Sequence, residues 1–594
     1  MAAPATSASD SGLAASTSYS YAISAVDNAG NESARSAAVG MTTPACPSDD
    51  TVPPTIPVGQ RTRIRCDEVE LWWSPATDTG GSGLRGYNVY RDRALRTFVA
   101  APATTLRETV EPGADHVFAV TAVDNAGNES AASREARTIV PLCGAPSGAH
   151  LWSRSYGTTA TEQVFGLAVD RWSGDFAFTG QAYQPLDVGG GPCRLVVARY
   201  EADGVLQWSA CLNESTTTAL VLAYDVAMTS AGETVVGGRF VNTGTVDFGA
   251  GPVNVDREAF IAKYSSDGTL EWMRRYGAFW YQGRALAIDS GGNILLSGIS
   301  DSGLFFAKFL PSGSLLWERR LRPGGPTSGT MNASAIDVDA FDNVVVGGVS
   351  FGMVDFGGGA IGINSICGSP SIHSMFLAKY SPVGEHLWSF AFGSSLAPLY
   401  AGGDLELGSI AVDPATNEIA VAGRFNGSME LCGKTLVATT YSGAAPTCGT
   451  EGWPDAYVAK VSASGTCLFA EQFGAVSKDA ARAVSIDDDG NIVLAGDFAG
   501  QADFGGGLLG SSTNPSGCNN SSYLVLAKYS ATGLHLWSRD HALNCAGSLA
   551  ALAADSAGNI LAGGGFGTTL NLGGGTLTTA GSSYSDMFLA GFSP

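Results

Sequence analysis

No stretch of this 594-residue chain holds the roughly 18 to 20 consecutive apolar residues that would cross a bilayer as a helix. Few windows keep a helical period, which removes a helical bundle from consideration. No CxxC pair is present, so a zinc site built on that spacing is excluded. Positive charge is scarce: 33 Lys and Arg stand against 55 Asp and Glu, a formal net charge of −22. Such a surface repels phosphate backbones and anionic lipid, so nucleic acid is not an expected partner and membrane insertion is not expected of this chain. Histidine is rare too (six residues), in no recognisable constellation, and no HExxH helix occurs. Met1-Ala-Ala-Pro-Ala-Thr6 has no basic or apolar leader character.

What is present is glycine, at 78 residues, and short apolar runs punctuated by Gly, Asp, Asn and Ser. That alternation is the mark of an all-β chain, and the length calls for more than one core. Eleven cysteines without metal-type spacing argue for disulfides and an oxidising compartment.

Two segments about 100 residues apart repeat each other: Tyr19-Ser-Tyr-Ala-Ile-Ser-Ala-Val-Asp-Asn-Ala-Gly-Asn-Glu-Ser33 and His116-Val-Phe-Ala-Val-Thr-Ala-Val-Asp-Asn-Ala-Gly-Asn-Glu-Ser130. They closely resemble fibronectin type III domains. Leu71-Trp72-Trp73-Ser74 looks like strand B with its core tryptophan, and Gly86-Tyr87-Asn88-Val89-Tyr90 like strand C. The resemblance covers about residues 50–142, and it implies that Cys66 and Cys143, at the same end of the sandwich, meet. His116 stands where the family's tyrosine corner would be and is read as a solvent-tolerated histidine. The first copy starts near strand D or E. The expectation is therefore a truncated fibronectin domain over 1–45, a full one over 46–143, and a signal peptide in a missing N-terminal part. Cys46 would then have lost its partner.

From Ala149 a unit of roughly 50 to 74 residues recurs. Its first hairpin shows as Leu167-Ala-Val-Asp170, Leu286-Ala-Ile-Asp289, Ile336-Asp-Val-Asp339, Ile410-Ala-Val-Asp413, Val484-Ser-Ile-Asp487 and Leu552-Ala-Ala-Asp555. A seventh copy is read at Asp225-Val-Ala-Met228, with Met in the Asp position. Its second hairpin shows as Phe260-Ile-Ala-Lys-Tyr-Ser-Ser-Asp-Gly-Thr-Leu-Glu-Trp272, repeated around Trp208, Trp317, Trp388, Phe469 and Trp537. Four strands per unit at this period mean β-propeller blades. Met587-Phe-Leu-Ala-Gly-Phe592 lacks a Trp strand, and His150-Leu-Trp-Ser-Arg-Ser-Tyr156 is a Trp strand with nothing before it. The expected architecture is all-β: a fibronectin type III sandwich, then over 144–594 a closed seven-bladed propeller with 3+1 strand closure. The unit resembles the bacterial propeller repeat known as SBBP, which implies a secreted or surface location and no particular reaction.

The Asp-x-x-Gly-Asn turns are read as self-capped hairpins rather than calcium loops, and Gly-Gly-Gly in linkers such as Val354-Asp-Phe-Gly-Gly-Gly359 as flexible turn chemistry. Catalytic, cofactor-binding and metal residues are assigned to none. Unit length varies almost wholly in the loop between second and third strands, on the face where recognition is expected. Hairpin register sets Cys193 opposite Cys211 and Cys518 opposite Cys545; Cys432 and Cys448 are taken to close their own loop, and Cys367 and Cys467 are left open. Phe279, Trp280, Tyr281 and Trp453 on that face are the candidate ligand platform, weighed against burial that pins the loops. The function expected is non-catalytic extracellular binding or adhesion toward an extracellular protein or glycan. The alternatives are a structural repeat unit of a surface coat or filament, or a propeller enzyme (hydrolase, lyase or quinoprotein-like).

Overall fold

The computed structural model describes residues 10, 13–14, 17–43, 50–58, 60–64, 67–112, 114–140, 148–171, 173–211, 220–277, 281–300, 303–322, 331–351, 353–362, 373–393, 405–439, 453–474, 478–511, 522–543, 547–581 and 585–594. Among them every regular element is a strand, and no helix is long and apolar enough to cross a membrane. The chain divides into two compact units, Met1–Cys143 and Gly144–Pro594.

In the first unit, a three-stranded sheet (Arg61–Ile64, Glu68–Trp72, Thr105–Thr109) faces a four-stranded one ordered Ala94–Ala100, Leu84–Arg91, Asp115–Asp124, Ala136–Ile139. This is a fibronectin type III-like sandwich. Period-2 alternation sends Val69, Leu71, Val89, Phe118, Val120 and Ala122 inward, where Trp73 meets the Tyr87 ring edge-on at 5.3 Å. His116 is not a bystander: its Nδ1 lies 2.9 Å from Asp92 Oδ2. Ser18–Tyr21 pairs with Val39–Thr42, and the Asp27–Asn31 turn repeats the Asp124–Asn128 one, each aspartate accepting the N–H four residues on.

The second unit is built on seven antiparallel sheets of one four-stranded design, the sixth extended at its outer edge by Thr569–Asn571 and Thr576–Thr578 through the pair Leu543/Leu570. The third runs Gln282–Ile288, Ile294–Ser300, Gly303–Phe309, Leu315–Leu321 from inner to outer strand. The other inner strands are Glu162–Val169, Val221–Met228, Met331–Val338, Glu406–Val412, Ala480–Ile486 and Gly547–Ala554. They pack in chain order, each on the next and the last on the first. The seventh sheet is a composite: Gly547–Ala554, Ile560–Gly567 and Ser585–Phe592 are completed by His150–Tyr156, with Arg154 opposite Leu589. Ser593 N–H donates to Ala149 O at 2.8 Å, and Gly148 N–H to Pro594 O at 3.3 Å.

The core lies between successive sheets, as where Ala420, Ala422 and Val458 meet Val484, Leu494 and Val525. Tryptophans of the outer strands tie neighbours together: Trp317 Nε1–H donates to Pro382 O at 2.9 Å and Trp388 Nε1–H to Ala463 O at 3.0 Å.

Two sequence readings change here. The Gly-Gly-Gly linkers are built hairpins, not flexible turns. Asp355 Oδ1 accepts the N–H groups of Gly357 and Gly359, both at positive φ, and a Cβ on Gly358 would sit 2.5 Å from the His386 ring. In the second sheet, Thr229 rather than Met228 holds the Asp position: its N–H binds Glu233 O and its C=O accepts from Gly232, as Asp289 does with Asn293 and Gly292. Thr stands here in place of the aspartate that opens the turn in the other six sheets.

Candidate functional site

Every inner strand carries a β-bulge at the same place, between residues 164/166, 223/225, 283/285, 333/335, 407/409, 481/483 and 549/551. The unpaired residues are Phe165, Tyr224, Arg284, Ser334, Gly408, Arg482 and Ala550. A bulge re-aims a side chain without breaking the sheet, and all seven line one cavity of about 320 Å³. Each stands five residues before its sheet's turn-opening Asp or Thr, near the strand ends from which the variable loops leave.

The mouth has two unlike halves. On one side Arg482 Nε is 2.7 Å from Asp497 Oδ1, and its Nη1 is 3.6 Å from Glu406 Oε2, which also takes Arg424 Nε at 2.9 Å. Two guanidinium groups thus meet two carboxylates. On the other side Arg284 lies over the Tyr224 ring at 4.5 Å and Arg239 at 5.9 Å, while the Phe165 ring meets Tyr224 edge-on at 6.0 Å. Among the described residues neither Arg239 nor Arg284 has a carboxylate within 4.0 Å. Arg284 Nη2 donates to Gln282 Oε1 at 3.0 Å, but the Nε of both arginines is buried without a hydrogen-bond partner. Desolvation, with the like charge of Arg239 adding to it, pulls Arg284 below the usual guanidinium range despite Tyr224.

Two carboxylates face deeper into the axis. Asp225 accepts the N–H of Leu286 on the next sheet at 2.8 Å, and Asp337 that of Val412 at 2.8 Å. Burial pushes Asp225 up to about 7 and Asp337 to about 6, against those backbone bonds. At the far end Arg171 reaches from the first sheet to the sixth and binds Asp488 Oδ1 at 2.6 Å.

The residues expected from sequence fare differently. Tyr281 is not a platform: 4% exposed, it packs on Phe305 at 5.0 Å and Tyr276 at 6.0 Å, filling the third sheet's interior beside its entry loop. Trp453 is 49% exposed, with Lys478 Nζ 5.1 Å from its ring centre, at the end of the fifth sheet that also holds Glu406 and Arg424. Phe279 and Trp280 lie outside the described residues.

Cys193 and Cys211 are joined, with Cα atoms 5.5 Å apart, although a bulge at Tyr200 puts Cys211 opposite Val196 in the ladder. Cys432 does not close a loop with Cys448; it is bonded to Cys467, Cα atoms 5.0 Å apart. The hairpin Ser428–Leu431/Lys434–Val437 folds onto the outer strand, where Lys434 Nζ reaches Ala470 O and Glu471, and that docking sets its tip beside Cys467. Cys46, Cys66, Cys143, Cys367, Cys448, Cys518 and Cys545 lie outside the described residues.

No family model matches the chain. It is 38% identical over 186 residues to Exoglucanase B of Cellulomonas fimi, a match covering 30% of this chain and 17% of that protein. It is 37% identical over 160 residues to Chitinase A1 of Niallia circulans, covering 27% and 22%. The chain thus spans about a fifth of the curated relatives it matches. Among solved structures, Sqt1 from Chaetomium thermophilum overlays on 76% of this chain and 100% of its own at 11% identity and TM-score 0.35. A protein of unknown function from Bacteroides caccae covers 64% and 94% at 11% and 0.30. At TM-scores this low they say nothing more about this chain.

In the first unit, carboxylate oxygens of Asp50, Asp78 and Asp124 lie within 4.8 Å of one another, the one such group among the described residues. Backbone N–H groups of Val52, Gly80, Gly83 and Asn128 already bind them, so the cluster staples loops.

Proposed function

We propose that this is a non-catalytic extracellular binding protein whose contact surface is the face at which the axial mouth opens. In this reading residues 144–594 form a closed seven-bladed β-propeller of the SBBP type with 3+1 closure. Residues 46–143 are a fibronectin type III spacer, and 1–45 the C-terminal part of another. The disulfides at Cys193 and Cys432 suit an oxidising, extracellular setting.

One observation carries the reading. Seven bulges on seven strands set seven residues of six kinds around one cavity, a fixed frame with variable contents, which is how scaffolds present recognition groups. Exposed Trp453 extends the same face.

The test is binding of the full chain to a panel of extracellular glycans and whole bacterial cells, beside Ala550→Trp and Trp453→Ala. Ala550 is exposed at the mouth, so an indole there fills the opening without breaking a bond. Binding that Ala550→Trp abolishes is the expected result. A folded protein that binds nothing in the panel, or that binds equally well with the mouth blocked, would move the reading to a structural unit of a surface coat.

A further inference from the structure

The two halves of the mouth answer different electrostatic problems. Arg424 and Arg482 are paired on the spot with Glu406 and Asp497. Arg239 and Arg284 are not, yet both converge on the Tyr224 ring, in a chain of net charge −22 with 55 acidic side chains available. Two like charges so placed repel each other, and each buried Nε–H loses its water without gaining a partner. Asp225, next in sequence to Tyr224, does not answer them: its oxygens are taken by the N–H groups of Val226 and Leu286. Both guanidinium groups lie over the Tyr224 ring, and apart from the bond of Arg284 to Gln282 their Nη–H groups can fork onto an anion. The space in front is about 320 Å³, room for one sugar ring.

We propose that Arg239, Arg284 and Tyr224 form a subsite for an oxyanion, a carboxylate or a sulfate ester, carried by a ligand of monosaccharide size. This deepens the binding reading of the same face and rests on it for the ligand's biological setting. The guanidinium edges hold the oxyanion, Gln282 fixes Arg284 from behind, and Phe165 and Ser334 border the ring. A neutral sugar supplies no counter-charge to the two guanidinium groups and is rejected.

The test titrates the full chain with D-glucuronate, D-glucose 6-sulfate and D-glucose by calorimetry, at low and at physiological salt. Saturable binding of at least one anion, no binding of glucose and clear weakening with salt are expected. Which anion binds tighter tells a carboxylate site from a sulfate site. Arg284→Gln should weaken that anion at least tenfold and Arg239→Gln several-fold, while Arg93→Gln, an exposed arginine of the first unit, leaves it unchanged. If Arg284→Gln does not fold, Arg239→Gln and the salt dependence of the unaltered protein still decide. Binding of neither anion, glucose binding as tightly, or an affinity indifferent to both substitutions overturns the subsite. Panel binding lost in Ala550→Trp without any anion binding would sink the subsite alone. Anion binding with panel binding indifferent to Ala550→Trp would sink the face reading alone.

Discussion

The third and seventh sheets of the second unit share a plan and differ at one buried point. In the third, Asp289 opens the inner turn, its Oδ1 accepting the N–H groups of Gly291 and Asn293, and its Oδ2 takes Lys308 Nζ at 2.7 Å. Both side chains are almost fully buried, and Lys308 also donates to Pro382 O on the fourth sheet at 3.4 Å. Cations at the same place serve the first, second, fourth, fifth and sixth sheets: Arg199, Lys263, Lys379, Lys460 and Lys528. The composite seventh sheet keeps the aspartate, Asp555, but has Gly591 at the cation's place, because a Cβ there would lie 2.5 Å from Trp152 Nε1. A buried carboxylate with a cation is a strut between sheets; without one it is a cost that the rest of the fold offsets.

Breaking the strut should produce the largest effect. Desolvation would raise Asp289, but Lys308 and Asn293 outweigh it and hold the carboxyl below its usual range. Lys308→Met therefore leaves a buried, uncompensated charge and is expected to cost about 3–5 kcal/mol in urea unfolding followed on the second unit. Adding Asp289→Asn should recover a good part of that loss. A double variant no better than Lys308→Met would mean that packing of the lysine stem, not charge, is what counts.

The seventh sheet should answer pH where the third does not. Burial pushes Asp555 up to about 6, with Asn559 bonds opposing and Asp488 adding to it. The folded state then holds a proton that the unfolded chain releases near pH 4, so stability falls as pH rises from about 4 to 6 and the penalty is complete above 6. A two-unit difference corresponds to about 3 kcal/mol. Asp555→Asn should flatten this part of the stability profile and, at pH 7, cost little or stabilise. Asp289→Asn, which orphans Lys308, should destabilise at that pH. Equal effects of the two amides would erase the distinction drawn between the sheets.

Much of this fold is legible in the chain. Strand alternation, the fibronectin-like copy and the recurring hairpins follow from periodicity and turn residues, and the Asp turns cap themselves as read. The cation ladder was equally visible, since Ala262-Lys263-Tyr264, Ala378-Lys379-Tyr380 and Ala527-Lys528-Tyr529 repeat as plainly as the tryptophans. What periodicity hides is the bulge, a matter of two residues facing one on a partner strand. It made the mouth invisible to motif search because the residue at that place varies from copy to copy, while the second sheet's turn was misplaced at Met228 because Thr229 replaces the marking aspartate. Aligning the copies on the Asp would have collected Phe165, Tyr224, Arg284, Ser334, Gly408, Arg482 and Ala550 in one column. Cys432 was given the wrong partner for a related reason: the pairing depends on a small hairpin folding over the outer strand, a tertiary contact with no local signature.

The smallest expected effect tests the same contrast through the tryptophans. Trp317 Nε1–H meets Pro382 O at 2.9 Å on the next sheet, whereas Trp537, which faces the composite sheet, has a buried Nε1 with no partner and instead covers Gly148. Phe469 shows that the position accepts a phenyl ring. Replacing either tryptophan by phenylalanine removes a similar volume, so the difference between Trp317→Phe and Trp537→Phe isolates the hydrogen bond. Trp317→Phe should be the less stable variant by about 1 kcal/mol in urea unfolding. Trp537→Phe, which removes an unsatisfied buried donor along with the ring, should lose correspondingly less. A reversed order would show that the carbonyl latch contributes nothing, and that the sheets are held by ring packing and the buried cations alone.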